Sequence, residues 1–330
     1  MGRAEIRRRQ ERHNKGRSGF KKLFTKKGIK NFIKSPRVAA PILAYLILLG
    51  PTLYLYSGSP PETEVQVYKG SWCPVLLPNS LAGMKDMGMN TVFIQDFGPF
   101  KELLVANIQT AHRNGLKVVL TTGFMPPYPK AADLDLEDLN SKIIDLAKLA
   151  EEYGVEFFSP LNEPDCIFWE NTARWGQEIR PRIREVYHGE IIWKGAIFCF
   201  IDIMRPPPDA EASEQSGEWP TDFSGYDYIG FSMSPRAGMT LEEYPQFVDN
   251  VLNATLAWAE RDNCKGVMVT EFGTWEWEPW HSEEDVARAH EIVLERGENK
   301  VVGFFVLDFL GSGTGGKTGE VIRRWYKEIL

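Results

Sequence analysis

The sequence predicts an α/β chain, a closed (β/α)8 barrel of the TIM type preceded by a basic arm and a single transmembrane helix. Three observations predict it. Short β-branched or aromatic runs recur eight times after about Val65, amphipathic stretches separate most of them, and a charge-free segment divides a basic N-terminus from an acidic remainder. Runs alternating in this way are the pattern of repeated βα units and a parallel sheet. Eight such units in a chain of 330 residues suit one barrel domain. A doubly wound open sheet is the alternative architecture.

The N-terminal elements are defined by charge. Of 38 Lys/Arg and 45 Asp/Glu, 14 and 2 respectively fall in residues 1–37, leaving 24 and 43 for the rest. The segment Val38 to Tyr56, VAAPILAYLILLGPTLYLY, has 19 residues and no charge, about the length that crosses the ~30 Å hydrocarbon layer. Pro41, Gly50 and Pro51 are tolerated in spanning helices, and Tyr54 and Tyr56 suit the headgroup interface. A cleaved signal peptide is the alternative, although the basic region is long for one and the apolar run exceeds the usual ~7–15 residues. The expected organisation is a basic cytoplasmic arm (1–37), a signal anchor (38–56), a short Pro/Ser linker (57–63) and a barrel (64–330). Basic residues beside a span remain on the cytoplasmic side. The chain is thus expected in the cell membrane as a single-pass protein, with everything after Ser57 extracytoplasmic.

The strand candidates are VQVYKGSW, NTVFIQDF, LKVVLTTG, VEFFSPLN, EIIWKGAIF, YDYIGFSM, KGVMVTEF and VVGFFVLDF. Between most of them run helical stretches such as LEDLNSKIIDLAKLAEEYG and EEDVARAHEIVLERG, several stopping at Gly as helix C-termini do. Cys199 to Gly225, rich in Pro and acids, is expected to be a long irregular loop. The cysteines Cys73, Cys166, Cys199 and Cys264 form no C-x-x-C pair and have no His at zinc spacing, so no metal site is expected. Outside the cell they are either disulfides or buried thiols. The basic arm is assigned to the membrane rather than to nucleic acid.

Two strands end in glutamates. The fourth closes with SPLNEPD, setting Asn162 and Glu163 on the rim, and the seventh with VTEFGTW, setting Glu271 there. In a closed barrel these strands face each other across the mouth. Two converging carboxylates are what glycoside hydrolysis needs, one to protonate the leaving oxygen and one to attack the anomeric carbon or activate water. Taken singly, Asn162 could instead cap a helix opened by Glu163 and Pro164, and Glu271 could belong to an ion pair.

LNEP after strand four together with TEFG after strand seven resembles clan A of the retaining glycoside hydrolases, over residues 64–330. The resemblance implies that Glu163 is the acid/base, that Glu271 is the nucleophile and that Asn162 hydrogen-bonds the sugar 2-hydroxyl, with no cofactor. Three features depart from that group. Asp96 ends strand two where many relatives have Arg, Ser232 and Ser234 end strand six where His or Tyr is common, and strand eight offers Phe304, Phe305 and Asp308 where an aromatic platform, usually Trp, is common. A non-catalytic carbohydrate-binding barrel is the alternative.

Carbohydrate is the expected partner, because flat aromatic faces stack on pyranose rings. Trp275, Trp277 and Trp280 follow the seventh strand, and Phe168 and Trp169 follow Asp165. Trp72, Asp96 and Asp308, at the ends of strands one, two and eight, complete the expected substrate-binding set. Trp175 and Trp258, in helical stretches, are expected to pack. Near the C-terminus, Gly311 to Thr318 has the spacing of a Walker A phosphate loop. A nucleotide site would need further strands, one carrying a Mg²⁺-binding Asp, and only twelve residues follow Thr318. No nucleotide is expected; an anionic substrate group held by Lys317 remains the alternative.

Overall fold

The computed structural model describes residues 67–73, 83–96, 98, 101–124, 129, 131–196, 221–235, 238–273, 282–307 and 315–330. The basic arm, the expected span at 38–56 and the linker lie outside these residues, as does most of Cys199–Gly225. Among the described residues no helix is long and apolar enough to cross a membrane.

All eight expected strands form: β1 Tyr68–Cys73, β2 Thr91–Asp96, β3 Lys117–Thr122, β4 Phe157–Ser159, β5 Glu190–Gly195, β6 Tyr228–Met233, β7 Gly266–Phe272 and β8 Gly303–Leu307. Neighbours pair in parallel and in chain order, and β8 returns to β1, which closes the barrel and excludes the open sheet. β4 is shorter than expected. Pro160 follows it directly and has no N–H to continue the ladder.

The outer ring contains α1 Lys101–Arg113, α2 Leu136–Glu152, α3 Thr172–Arg184, α4 Tyr244–Arg261, α5 Glu283–Gly297 and α6 Gly316–Arg324, the last running on as a π-helical turn, Trp325–Ile329. The caps follow local chemistry. Asp135 accepts the amides of Glu137 and Asp138 at the start of α2, and Ser282 accepts that of Asp285 at the start of α5. α2 buries Leu139, Ile143, Leu146, Ala147 and Ala150, a stripe at helical spacing.

Alternation along the strands divides the core in two. Val92, Ile94, Val118, Leu120, Ile191 and Trp193 point outward beneath the helices, while Trp72, Phe93, Val119, Phe157, Ile192, Met268, Phe305 and Leu307 fill the barrel. Two residues beyond those interior side chains, on β2 to β5, the inward position turns polar: Gln95, Thr121, Ser159 and Lys194 are all buried. This polar layer floors the C-terminal mouth, where barrels of this class carry their sites.

The seam between β1 and β8 is clipped from outside. Fully buried Tyr326 places its hydroxyl 2.8 Å from the carbonyl of Phe304 and 3.1 Å from that of Gly70, and its own carbonyl accepts the Lys69 ammonium at 2.6 Å. Gly70 must be glycine, since a Cβ there would stand 2.5 Å from the carbonyl of Thr91 and 2.8 Å from the Phe305 ring. Tyr326→Phe is therefore expected to cost about 1 kcal/mol of unfolding free energy, the net worth of one buried hydrogen bond. Urea unfolding followed by circular dichroism checks this; a variant as stable as the parent would show that the hydroxyl does not hold the seam.

Candidate active site

After Pro160 the chain keeps its place through backbone bonds rather than strand pairing. Asn162 N–H donates to the Thr122 carbonyl on β3 at 2.7 Å, and Glu163 N–H donates to the Lys194 carbonyl on β5 at 3.0 Å. Glu163 takes φ of 52°, a left-handed conformation that costs a non-glycine residue roughly 1–2 kcal/mol. The following one-turn helix, Asp165–Phe168, is tied to β5 by the Ala196 amide, which donates to Asp165 Oδ1 at 2.9 Å. Asn162 is not a cap: Pro164 occupies that position and no side chain caps the turn. Its amide is buried instead, with Oδ1 unbonded within the protein.

Glu271 is aimed by a bulge. Phe231 of β6 pairs with Val269 of β7, yet the next residue, Ser232, pairs with Glu271, so β7 carries one extra residue. β8 records the same insertion, with Val269 opposite Phe304 and Phe272 opposite Val306. With Met268 inward, simple alternation would turn Glu271 out; the extra residue re-aims it into the mouth, as bulges beside active sites do.

The two glutamates meet on a group that the sequence did not single out. Lys194 Nζ, fully buried, lies 3.0 Å from Glu271 Oε2, 3.5 Å from Glu163 Oε1 and 2.8 Å from Ser232 Oγ, while the Ser232 hydroxyl donates to Glu163 Oε1 at 2.5 Å. Burial by itself would depress the Lys194 ammonium, but Glu271 and Glu163 outweigh it and its pKa is raised. Glu271 is raised chiefly by burial, with Lys194 pulling the other way. The missed signal was available: Lys194 is the one charge among the inward positions Ile192 and Lys194 of an otherwise apolar strand core, IIWKG. Gln95 was missed too; its side chain crosses above Gly123 and its Oε1 is buried without a protein partner.

The remaining expected residues separate. Trp72 lies inside the barrel, 6% exposed, as part of the interior packing rather than the rim, although its Nε1 is unbonded within the protein. Phe168 stacks on Trp175 at 4.6 Å and is buried, so it packs the loop and offers no sugar platform. Trp175 and Trp258 belong to the outer core as expected. Trp169 is half-buried with φ of 50°. Asp96 is half-buried at the end of β2, accepts the Gly98 amide at 3.0 Å and is pushed up mainly by burial. Trp275, Trp277, Trp280 and Asp308 lie outside the described residues. Cys166 and Cys264 are thiols, and the side chains of Cys73 and Cys199 lie outside the described set. Among the described residues no group of three or more His, Cys, Asp or Glu could hold a metal ion.

The Gly-rich stretch is described from Gly315 on. α6 begins there, and its first turn is occupied by acids from the neighbouring helix: Glu283 Oε1 accepts the Lys317 amide at 2.7 Å, and the Lys317 ammonium pairs with Glu284. The position a phosphate would take at a helix N-terminus thus holds a carboxylate.

No protein-family description matches this sequence, and no curated protein matches it. Solved structures do resemble it. The GH113 β-mannanase of Alicyclobacillus acidocaldarius aligns with a TM-score of 0.59 at 15% identity over 81% of this chain and 99% of its own. Subunit Z of the clostridial cellulose synthase of Clostridioides difficile gives 0.59 and 16% over 79% and 100%. The endo-β-1,4-mannanase of Thermotoga petrophila gives 0.59 and 15% over 80% and 77%. The likeness is one of fold. It is the closed (β/α)8 barrel, the fold that LNEP and TEFG led one to expect.

Behind Glu163, burial raises the Asp165 carboxyl to about 7, and its Oδ2 is unbonded within the protein. A carboxyl raised on folding stabilises most below its unfolded pKa, and that stability is lost as pH climbs from about 4 to about 7. Asp165→Asn keeps an acceptor for Ala196 but cannot ionise. Urea midpoints at pH 5 and pH 8 are expected to show the variant gaining on the parent at the higher pH, by an amount on the order of a few kcal/mol. A difference between the two proteins that does not change with pH would place the Asp165 carboxyl in contact with water.

Proposed function

We propose that the barrel is a retaining glycoside hydrolase that cleaves β-glycosidic bonds of a poly- or oligosaccharide by double displacement, with Glu271 as nucleophile, Glu163 as acid/base and Asn162 as donor to the sugar 2-hydroxyl. The observation that carries this is the convergence of β4 and β7 carboxylates on one nitrogen, at 3.5 and 3.0 Å. Laid end to end, those distances reach only the lower edge of the ~6.5–9.5 Å that an inverting pair requires for its water, and any bend at the nitrogen brings the oxygens nearer the ~5–5.5 Å of retaining pairs. The structural neighbours named as β-1,4-mannanases favour a β-1,4-linked substrate. We further propose that residues 38–56 anchor the chain with the barrel extracytoplasmic, and that Glu283 and Glu284 leave the Gly-rich loop no nucleotide role.

A second reading, a sugar-binding barrel without catalysis, is favoured by the ammonium itself: a cation touching both carboxylates favours their charged forms, whereas an acid must hold a proton. Aryl β-glycosides distinguish the two. Glu271→Gly is expected to lose several orders of magnitude in rate, whereas Glu163→Ala still forms the glycosyl-enzyme from substrates with good leaving groups and then stalls. Azide is expected to release the β-glycosyl azide from Glu163→Ala and the α-azide from Glu271→Gly. The same anomer from both would refute the role assignment, and a parent inactive on every glycoside would favour the binding barrel.

Topology has its own measurement. External protease added to right-side-out vesicles is expected to remove the barrel and spare the arm; a protected barrel would reverse the orientation.

A further inference from the structure

The buried centre holds three ionisable groups in mutual contact, Lys194, Glu163 and Glu271, drawn from β5, the β4 loop and β7. Among the described residues two carboxylates face one ammonium, so with all three charged this trio carries a net negative charge on side chains that are all buried. Neutrality requires one carboxyl to keep its proton, which is the state a retaining pair starts from.

We propose that Lys194 is a positioning residue whose single positive charge is matched by one carboxylate at each stage of the reaction, by Glu271 before glycosyl transfer and by Glu163 after it. This rests on the double-displacement function proposed above. In the first step a Glu271 oxygen bonds the anomeric carbon, the bond to the leaving oxygen breaks, and the Glu163 proton goes to that oxygen. Glu271 is then a neutral ester and Glu163 a carboxylate. Lys194 has not moved a proton, yet its counter-ion has changed.

Geometry provides for the exchange. Glu271 is the nearer oxygen at 3.0 Å, and Glu163, at 3.5 Å, is joined in addition through Ser232, which accepts from Lys194 at 2.8 Å and donates to Glu163 at 2.5 Å. In the second step Glu163 takes a proton from water as the water oxygen bonds the anomeric carbon and the bond to Glu271 breaks, restoring the first pairing. One positive and one negative charge are present on the trio throughout, so these three groups never develop a net charge. The other titratable group near Lys194 among the described residues is Asp165, on the one-turn helix behind Glu163; its raised pKa of about 7 leaves it neutral below that pH, outside the exchange.

The test uses the full chain and an aryl β-glycoside with a good leaving group. Without the ammonium, the Glu271 carboxylate loses its counter-ion, so Lys194→Met is expected to move the acid limb of kcat/KM upward by about one pH unit or more. Glu163 must then ionise without the Lys194 charge beside a neutral ester, so the second step slows most. The covalent intermediate should accumulate, seen as a burst of aryl leaving group and as added glycosyl mass on the intact protein. Lys194→Arg, which keeps the charge, should return the limb toward its parental position. Should Lys194→Met fail to fold, Ser232→Ala decides the matter: it keeps the cation, removes the bridge to Glu163, and should lower kcat more than kcat/KM.

An unshifted acid limb without accumulation in Lys194→Met, or equal losses in kcat and kcat/KM in Ser232→Ala, would overturn the proposal while leaving the glycosidase function intact. A parent that hydrolyses no glycoside would remove both.

Discussion

Burying the Lys194 ammonium is the constraint on which the site depends. An isolated charge in a dry interior costs many kcal/mol, far more than a fold of marginal stability can absorb. Lys194 is tolerated because Glu271, Glu163 and Ser232 surround it with acceptors within 3.5 Å. The dependence is mutual. The two glutamates are themselves 8% and 6% exposed, and without the ammonium each would lose the cation that contacts it at 3.5 and 3.0 Å. Contributions from the β4 loop, β5, β6 and β7 therefore stand or fall together.

Two departures from ideal backbone bring those groups to the lysine. β7 accepts an extra residue, and Glu163 accepts a left-handed φ. Both would be faults in a strand designed only for stability, and both occur where a carboxylate must leave the direction that its strand assigns. The strain is held by strong local bonding: the Glu163 amide bonds to the carbonyl of Lys194 itself, so the backbone that presents the acid is registered against the residue that faces it. The Ala196 bond to Asp165 fastens the same loop two residues further on.

The Gly-rich stretch near the C-terminus illustrates how a short motif loses its meaning in another context. A Walker A loop binds phosphate because glycine amides and a helix N-terminus present unpaired donors. In this barrel α5 ends the preceding βα unit with Glu283 and Glu284 at its own start, beside the start of α6. The Lys317 amide in the first turn of α6 is met by Glu283, and the lysine that would neutralise phosphate neutralises Glu284. The glycines remain useful for another reason: Gly316 has φ of 53°, and a Cβ there would run into the Glu283 carboxylate.

Local pattern in the sequence determined the eight strands, their parallel order, most of the helices and the two glutamates at strand ends, because alternation, amphipathic spacing and strand-terminal motifs are carried by neighbouring residues. It also determined the packing of Trp175 and Trp258. Contacts between distant segments were not legible in that way. Phe168 reads as a rim aromatic until Trp175 is seen stacked on it. Trp72 reads as a strand end until closure of β8 onto β1 surrounds it with Phe93, Phe305 and Leu307. Simple alternation would even have turned Glu271 away from the mouth, since the extra residue of β7 appears only in its register against β6 and β8. Lys194 is the clearest case. A lysine in an apolar strand has no partner within its own segment, and 31 and 77 residues separate it from Glu163 and Glu271. Only closing the barrel brings the three charges within bonding distance, and only that closeness makes a buried ammonium stable enough to exist.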